Sequence, residues 1–351
     1  MHERVDHSKR TGDVDQGVVV RIAYLILAHN NPGHLNRLIQ ALQSAHAYFY
    51  VHVDKKTDIG IYKKITGKNV IFCSERIDCI WGNISLVDAS LVLVKSALAE
   101  GRSFDYFVLL SGACYPVQPR EYIEDFFERH KGREFIEAFA LPNFEHGKKL
   151  ERLSRYWIKR GGKLDGIKWR LQKFMNSFFP ERDHVKHLNG AQAMAGSQWW
   201  ALSHEAVNYV VGFIADNPSF YNFCKHTDCP DEFVFQTILW NSRFREKICH
   251  SLTFTHWEKN KSGPEEIDAA YMPIFERRTV LDSQTNNCPN EKEEVVFARK
   301  FSDRSGPVLD LVDGANLEKA ALFLGERADT VGDGGASRAS SEADLLMRKL
   351  P

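Results

Sequence analysis

The chain has 351 residues with 46 basic and 46 acidic side chains, so its formal net charge is zero and nothing in its bulk charge favours nucleic acid. At 43% hydrophobic and 12% aromatic residues it can bury a large core, enough for one large domain or about two at roughly 150 residues each. The first twenty residues, MHERVDHSKRTGDVDQGVVV, lack the apolar run of a secretory signal, and no transmembrane segment follows; the expectation is a cytoplasmic protein, or one peripheral at a membrane face.

Residues 1–18 are polar and read as a flexible N-terminus. From Val19, VVVRIAYLILAH is a β-branched apolar run ending at NNPGH, the pattern of a strand covered on both faces. HLNRLIQALQSA (34–45) places Leu35, Leu38, Ile39 and Leu42 on one helical face. AYFYVHVD (47–54) and NVIFCS (69–74) read as two further strands, and the turn-like IWGN precedes an amphipathic helix from Ile84 to Leu98. FDYFVLLSG (104–112) is a buried strand, followed by a proline-bearing loop and the helix REYIEDFFERH. Strands alternating with helices in this way predict an α/β domain with a mainly parallel sheet.

Between 145 and 190 the composition turns basic and aromatic, as in EHGKKLERLSRYWIKRGGKLDGIKWRLQKF. Its default reading is a solvated face on a helical insertion; a functional one makes it a lid or acceptor platform. QWWALS (198–203) reads as a strand, His204–Asp216 as a helix, and a further helix starts at Pro230. A loop-rich stretch then leads to VVFARKFS, and the Gly/Ser-rich residues 326–351 read as a disordered tail after a single domain spanning 19–325.

Seven cysteines, at 73, 79, 114, 224, 229, 249 and 288, are odd in number and lie mostly beside apolar runs, which suits reduced thiols better than a disulfide framework. Cys224 and Cys229 bracket His226, but a lone Cys-x4-Cys with one His lacks a second ligand pair, so no metal site is expected there.

In a parallel α/β sheet, ligands lie beyond the carboxyl ends of the strands. His29, Asp54 and Ser111 fall at such ends, and Trp81 follows the third strand, which together suggest a nucleotide pocket. It is no dinucleotide or P-loop pocket: no Gly-x-Gly-x-x-Gly follows the first strand, and no Walker motif occurs. The one Asp-x-Asp, Asp13-Val-Asp15, precedes the first strand, where it could not hold a metal on a donor diphosphate. Diphosphate charge would then fall to side chains, and Arg299 and Lys300 in FARKFS are adjacent cations flanked by aromatics. In HTDCPDEFVFQTILW (226–240), Pro230 suits a first helical position and Asp231 and Glu232 suit the positive end of the helix dipole, so taken alone they read as a helix start.

AYLILAHN, YFYVHVDKK, IWGNISLVDASL, FDYFVLLSGACYPVQP, GSQWWALS, PDEFVFQTIL and FARKF, in this order, resemble the core-2/I-branching glycosyltransferase family, which includes β-1,6-N-acetylglucosaminyltransferases and peptide O-xylosyltransferases. Each motif is weak alone; the resemblance spans about 20–302. It implies a GT-A-like fold, a UDP-GlcNAc or UDP-xylose donor, a glycan or other hydroxyl acceptor, inversion at the anomeric carbon and no metal. Glu232, in the family's Pro-x-Glu position, is implied as general base. Arg299 and Lys300 match the basic pair that meets the departing UDP, while His29, Asp54 and Trp81 fall near the uridine. Donor-sugar or acceptor contacts are implied for Ser111, Glu137, Trp199, Asp231, Trp257 and Lys259. Two positions depart from the family: Cys114 stands where relatives often carry an acid, and Gln198 where xylosyltransferases carry an Asp. The competing reading, a degenerate nucleotide-sugar or glycan-binding module, rests on those two departures.

Overall fold

A computed structural model describes residues 20–158, 165–257, 263–276 and 294–330. In chain order, the first half contains β1 (Ile22–Ala28), α1 (Pro32–Leu42), β2 (Ala47–Val53), β3 (Val70–Phe72), α2 (Ser85–Ala99), β4 (Tyr106–Ser111), β5 (Cys114–Pro116), α3 (Arg120–Arg129), β6 (Glu134–Ile136) and β7 (Phe139–Ala140). Next come α4 (Glu151–Ser154), α5 (Asp165–Phe178), α6 (His184–His187), β8 (Met194–Ala195), β9 (Trp200–Ser203), α7 (His204–Asp216) and α8 (Pro218–Cys224). The remainder is α9 (Val234–Trp240), β10 (Ile248–Cys249), β11 (Thr253–Thr255), α10 (Met272–Phe275), β12 (Phe297–Arg299) and α11 (Gly306–Thr330).

Seven strands form the central sheet in the order β10-β6-β9-β4-β1-β2-β3. β4, β1, β2 and β3 run parallel, β9 is antiparallel to both β4 and β6, and β10 is parallel to β6. This is the α/β class with a mainly parallel sheet that the apolar strands predict. The alternation of β1 shows why the sheet is covered on both faces: Ile22, Tyr24, Ile26 and Ala28 enter one apolar layer, Ala23 and Leu25 the other. The first layer takes the buried faces of α1, α3 and α11, the second those of α2, α7 and α9. Each fully buried side chain such as Leu25 or Phe107 contributes roughly 1.5–3 kcal/mol of transfer free energy.

A second sheet, β11-β12-β5, places Arg299 opposite Cys114. The buried His34 of α1 holds this sheet to the first: its Nε2 lies 3.0 Å from the Cys114 carbonyl, and its ring stacks on Phe301.

Three expectations change. The helix expected from Pro230 is a 3-10 turn over Pro230–Glu232, and α9 starts at Val234. The cause is a tertiary contact: the Glu232 carbonyl accepts the Gly196 N–H at 3.0 Å and is drawn out of a helical ladder, while Cys229 enters the turn in the left-handed region. Asp231 and Glu232 therefore do not form the first turn of a regular helix. The tail boundary at 326 also moves, because α11 continues to Thr330; Arg37 ion-pairs with its Asp310 and Asp313, and Tyr115 donates to Asp313. Third, the basic stretch between 145 and 190 is helical in α4, α5 and α6, yet two of its cations turn inward rather than to solvent. Among the described residues no helix is long and apolar enough to cross a membrane.

Candidate active site

Beyond the carboxyl ends of β1 and β4 lies a cleft of about 1380 Å³. Of the residues singled out from the sequence, His29, Trp81, Ser111, Glu137, Trp199, Asp231, Glu232, Trp257, Arg299 and Lys300 all line it. They come from segments spread over most of the chain, and the sheet order is what brings them together.

One wall belongs to the strand ends. His29 follows β1, and its carbonyl accepts a hydrogen bond from the Thr57 hydroxyl. Desolvation lowers the His29 pKa; Asp54 opposes this, and the nearby Lys56 and Arg299 reinforce it. Trp81 stands 74% exposed at the cleft edge, where a ring has room to cover a ligand. Gly82 takes φ +69°, which its missing Cβ permits, and its carbonyl accepts from Cys229 N–H, tying this loop to the turn that carries the two carboxylates. Asp54 stands one step back. It does not line the cleft, and its carboxylate is taken by the Lys56 backbone and ammonium at 2.9 and 3.1 Å. Lys259 lies outside the described residues, as do Asp13 and Asp15.

The second wall is β12. Arg299 lays its guanidinium over the Trp199 ring, 4.6 Å from the centroid, and its Nε has no hydrogen-bond partner among the described residues. Among the described residues neither Arg299 nor Lys300 has a carboxylate within ion-pair distance. Desolvation lowers the Arg299 pKa, with Cys114 opposing. A guanidinium kept out of water with no counter-charge is costly to the fold unless an anion arrives. Lys300 is held by its backbone, which donates to Glu265 and accepts from Ile267. Cys114 sits fully buried beneath, its Sγ 3.2 Å from the Ser111 hydroxyl, and burial raises its pKa.

The far wall carries the acids. Glu232 Oε2 accepts from Lys148 Nζ and, at 2.7 Å, from Arg152 Nη1; Oε1 accepts from none of the described residues. Arg152 is delivered by α4, and its carbonyl accepts the Asp228 N–H, which fixes α4 against the 226–232 turn. Asp231 is buried with Oδ1 unpartnered among the described residues, and burial, reinforced by the Glu232 charge, pushes its carboxyl up to about 7. Gly196, just after β8, packs face-on against Glu137: a Cβ there would come within 1.8 Å of the Glu137 carbonyl oxygen. The same glycine donates to the Glu232 carbonyl, so this contact sets where both Glu137 and Glu232 sit.

The arrangement puts in one cleft a carboxylate with an oxygen left open by the described residues and two cations with no acidic partner among them. Such a site can accept a proton on one side and stabilise an anionic leaving group on the other. Among the described residues no cluster of three His, Cys, Asp or Glu side chains could hold a metal ion.

The roles of Lys148, Arg152 and Gly196 were not read from the sequence. The basic pair at i and i+4 was visible, but only as part of a charged stretch; a lone glycine after a short apolar pair carries no local signal.

Residues 22–276 match the family model of the core-2/I-branching enzymes. Xylosyltransferase 2 of Rattus norvegicus is 29% identical over 257 residues, which cover 69% of this chain and 27% of that protein. Xylosyltransferase 2 of Homo sapiens is 29% identical over 72% of this chain and 28% of its own length. Xylosyltransferase oxt of Drosophila melanogaster is 26% identical over 80% of this chain and 32% of its own length. The match thus spans under a third of these relatives. A solved structure of mouse xyloside xylosyltransferase 1 aligns over 80% of this chain and 96% of its own at 11% identity, with a TM-score of 0.34, too low to bear on the fold.

Proposed function

This chain belongs to the core-2/I-branching enzyme family, and from that premise we propose that it is an inverting glycosyltransferase that moves a sugar from a UDP donor to a hydroxyl acceptor. The observation that carries the proposal is the pair Arg299 and Lys300, desolvated or backbone-held, without acidic partners among the described residues, and lining the same cleft as Glu232. Xylose is the donor sugar favoured, because the relatives named above are xylosyltransferases at 26–29% identity. GlcNAc is the alternative to be tested against it.

In this mechanism Glu232 Oε1 takes the proton of the acceptor hydroxyl. The acceptor oxygen forms a bond to the anomeric carbon as the bond from that carbon to the diphosphate oxygen breaks, in one in-line displacement. The electron pair leaves with UDP, and Arg299 and Lys300 meet the charge that grows on its phosphate. Lys148 and Arg152 hold Glu232 by its other oxygen, so the basic oxygen is presented in one position. His29 and Trp81 would take the uridine with Asp54 supporting from behind, Ser111 and Trp199 the donor sugar, and Glu137, Asp231 and Trp257 the sugar or acceptor. The two cations would supply the charge stabilisation that a metal gives other UDP-sugar enzymes, so the reaction proceeds without one.

The test is calorimetric titration with UDP, UDP-xylose and UDP-GlcNAc in EDTA, coupled to slow donor hydrolysis. Selective binding and turnover of one UDP-sugar is the expected outcome. UDP binding without sugar preference or turnover would leave a nucleotide-binding module, and a strict metal requirement would overturn the role given to Arg299 and Lys300.

A further inference from the structure

Helix α5 is mounted with its polarity reversed. Its inward side is fixed mainly by polar contacts: Gln172 is buried and accepts the Ile158 N–H at 3.1 Å, the Asn176 carbonyl accepts from Arg155 at 3.1 Å, and Met175 is the one half-buried apolar residue between them. Its apolar residues Ile167, Leu171, Phe174 and Phe178, spaced i, i+4, i+7 and i+11, form one stripe that is 50–74% exposed throughout. An ordinary surface helix does the opposite, because burying the apolar stripe is what attaches it. Here hydrogen bonds to the chain at 155–158 attach the helix, and the stripe is left for something else.

The cations on one side of the stripe state the chemistry of what covers it. Arg170 borders the stripe and Lys173 comes next round the helix, its Nζ 4.1 Å from the ring of Trp169, which stands 49% exposed on the side away from the stripe. From 166 to 180 the chain has three cations and no carboxylate. Apolar and aromatic side chains bordered by Lys and Arg match the boundary of an anionic bilayer, where rings enter the headgroup region and cations meet phosphate. A second copy of this chain fits worse: stripe against stripe would bring Arg170 and Lys173 close to the same cations of the other copy. We propose that α5 is an interfacial helix that docks the protein on an anionic phospholipid surface. The proposal does not depend on the transferase reading.

The experiment is co-sedimentation of the full chain with vesicles of phosphatidylcholine, pure or one-third phosphatidylglycerol, at low and high salt. The wild type should bind the anionic vesicles at least about tenfold more tightly, and salt should weaken that binding. Arg170→Gln with Lys173→Gln should weaken it about 25-fold, at roughly fivefold per cation near a charged leaflet. Phe174→Ser with Phe178→Ser should weaken it by roughly 100-fold, while melting and UDP binding stay as in the wild type, since both rings are already in solvent. Equal binding to neutral and anionic vesicles, or full affinity in the Phe174→Ser/Phe178→Ser chain, would overturn the proposal. So would a wild-type dimer that this double variant dissociates, or a protein partner that occupies the stripe in place of lipid.

Discussion

Replacing Glu232 by Gln keeps the side chain's shape and removes its charge and its basicity. In the folded chain Glu232 Oε2 accepts from Lys148 and Arg152, with side-chain exposures of 24% for Glu232, 15% for Lys148 and 20% for Arg152. Two partly screened pairs of this kind contribute roughly 1 kcal/mol each, and Gln retains an oxygen that can still accept, so the expected stability loss is about 1–2 kcal/mol. For a domain of this size that lowers the melting temperature by about 1.5–3 °C. Loss of a positioned base costs far more in rate, roughly 10²–10⁴-fold, or about 3–5 kcal/mol of barrier. The assay is single-turnover transfer of labelled sugar from saturating donor, with melting followed in parallel and Asp231→Asn as the comparison. Glu232→Gln should fold, bind UDP and fail in transfer, whereas Asp231→Asn should retain most of the chemical step. The reasoning is refuted if Glu232→Gln stays within about tenfold of wild type while Asp231→Asn falls by more than about 100-fold. The base would then be Asp231, whose carboxyl, pushed up to about 7, is suited to accept a proton near neutral pH.

Arg299→Met should abolish UDP binding by calorimetry while leaving melting unchanged or raised, because it removes a desolvated cation with no partner Nε; unchanged UDP affinity would contradict the anion site. Gly196→Ala should destabilise the chain by roughly 1–3 kcal/mol and lower transfer together, since its Cβ would meet the Glu137 backbone at 1.8 Å; a variant with wild-type melting and rate would show that this contact positions nothing. Glu134 is fully buried on β6, where it accepts from the Ser203 N–H at 2.8 Å and hydroxyl at 2.6 Å, and burial raises its carboxyl from 4.5 to about 7. Folding therefore favours its protonated form: the stabilisation is complete below the unfolded value and is lost as pH climbs toward 7, a change of roughly 3 kcal/mol. Glu134→Gln should flatten the fall in melting temperature between pH 5 and 8, and an unchanged slope would assign that fall to other groups, Asp231 among them.

Local pattern determined most of the α/β half of this protein. The runs in β1, β2 and β4 are apolar on both faces, and a strand with two apolar faces has to be covered by helices on both sides wherever it lies in the sheet. The helix His204–Asp216 was legible to the residue, because Ser203 caps it and its side chain accepts from Ala206 N–H. The strand-end residues were legible for the same reason: in a parallel sheet the carboxyl ends share one edge. Tertiary structure decided the rest. The Pro-Asp-Glu segment reads locally as a helix start, but a single long-range bond from Gly196 turns it into a 3-10 turn with Asp231 buried and Glu232 facing Lys148 and Arg152. The apolar stripe of α5 has the spacing of any buried helix, and only the polar contacts at 155–158 leave it facing solvent. Periodicity encodes which residues share a face. Which surface that face meets, and which distant cation a carboxylate meets, depends on backbone and side-chain bonds between segments 14 to 84 residues apart, and such pairings leave no trace in a local window of sequence.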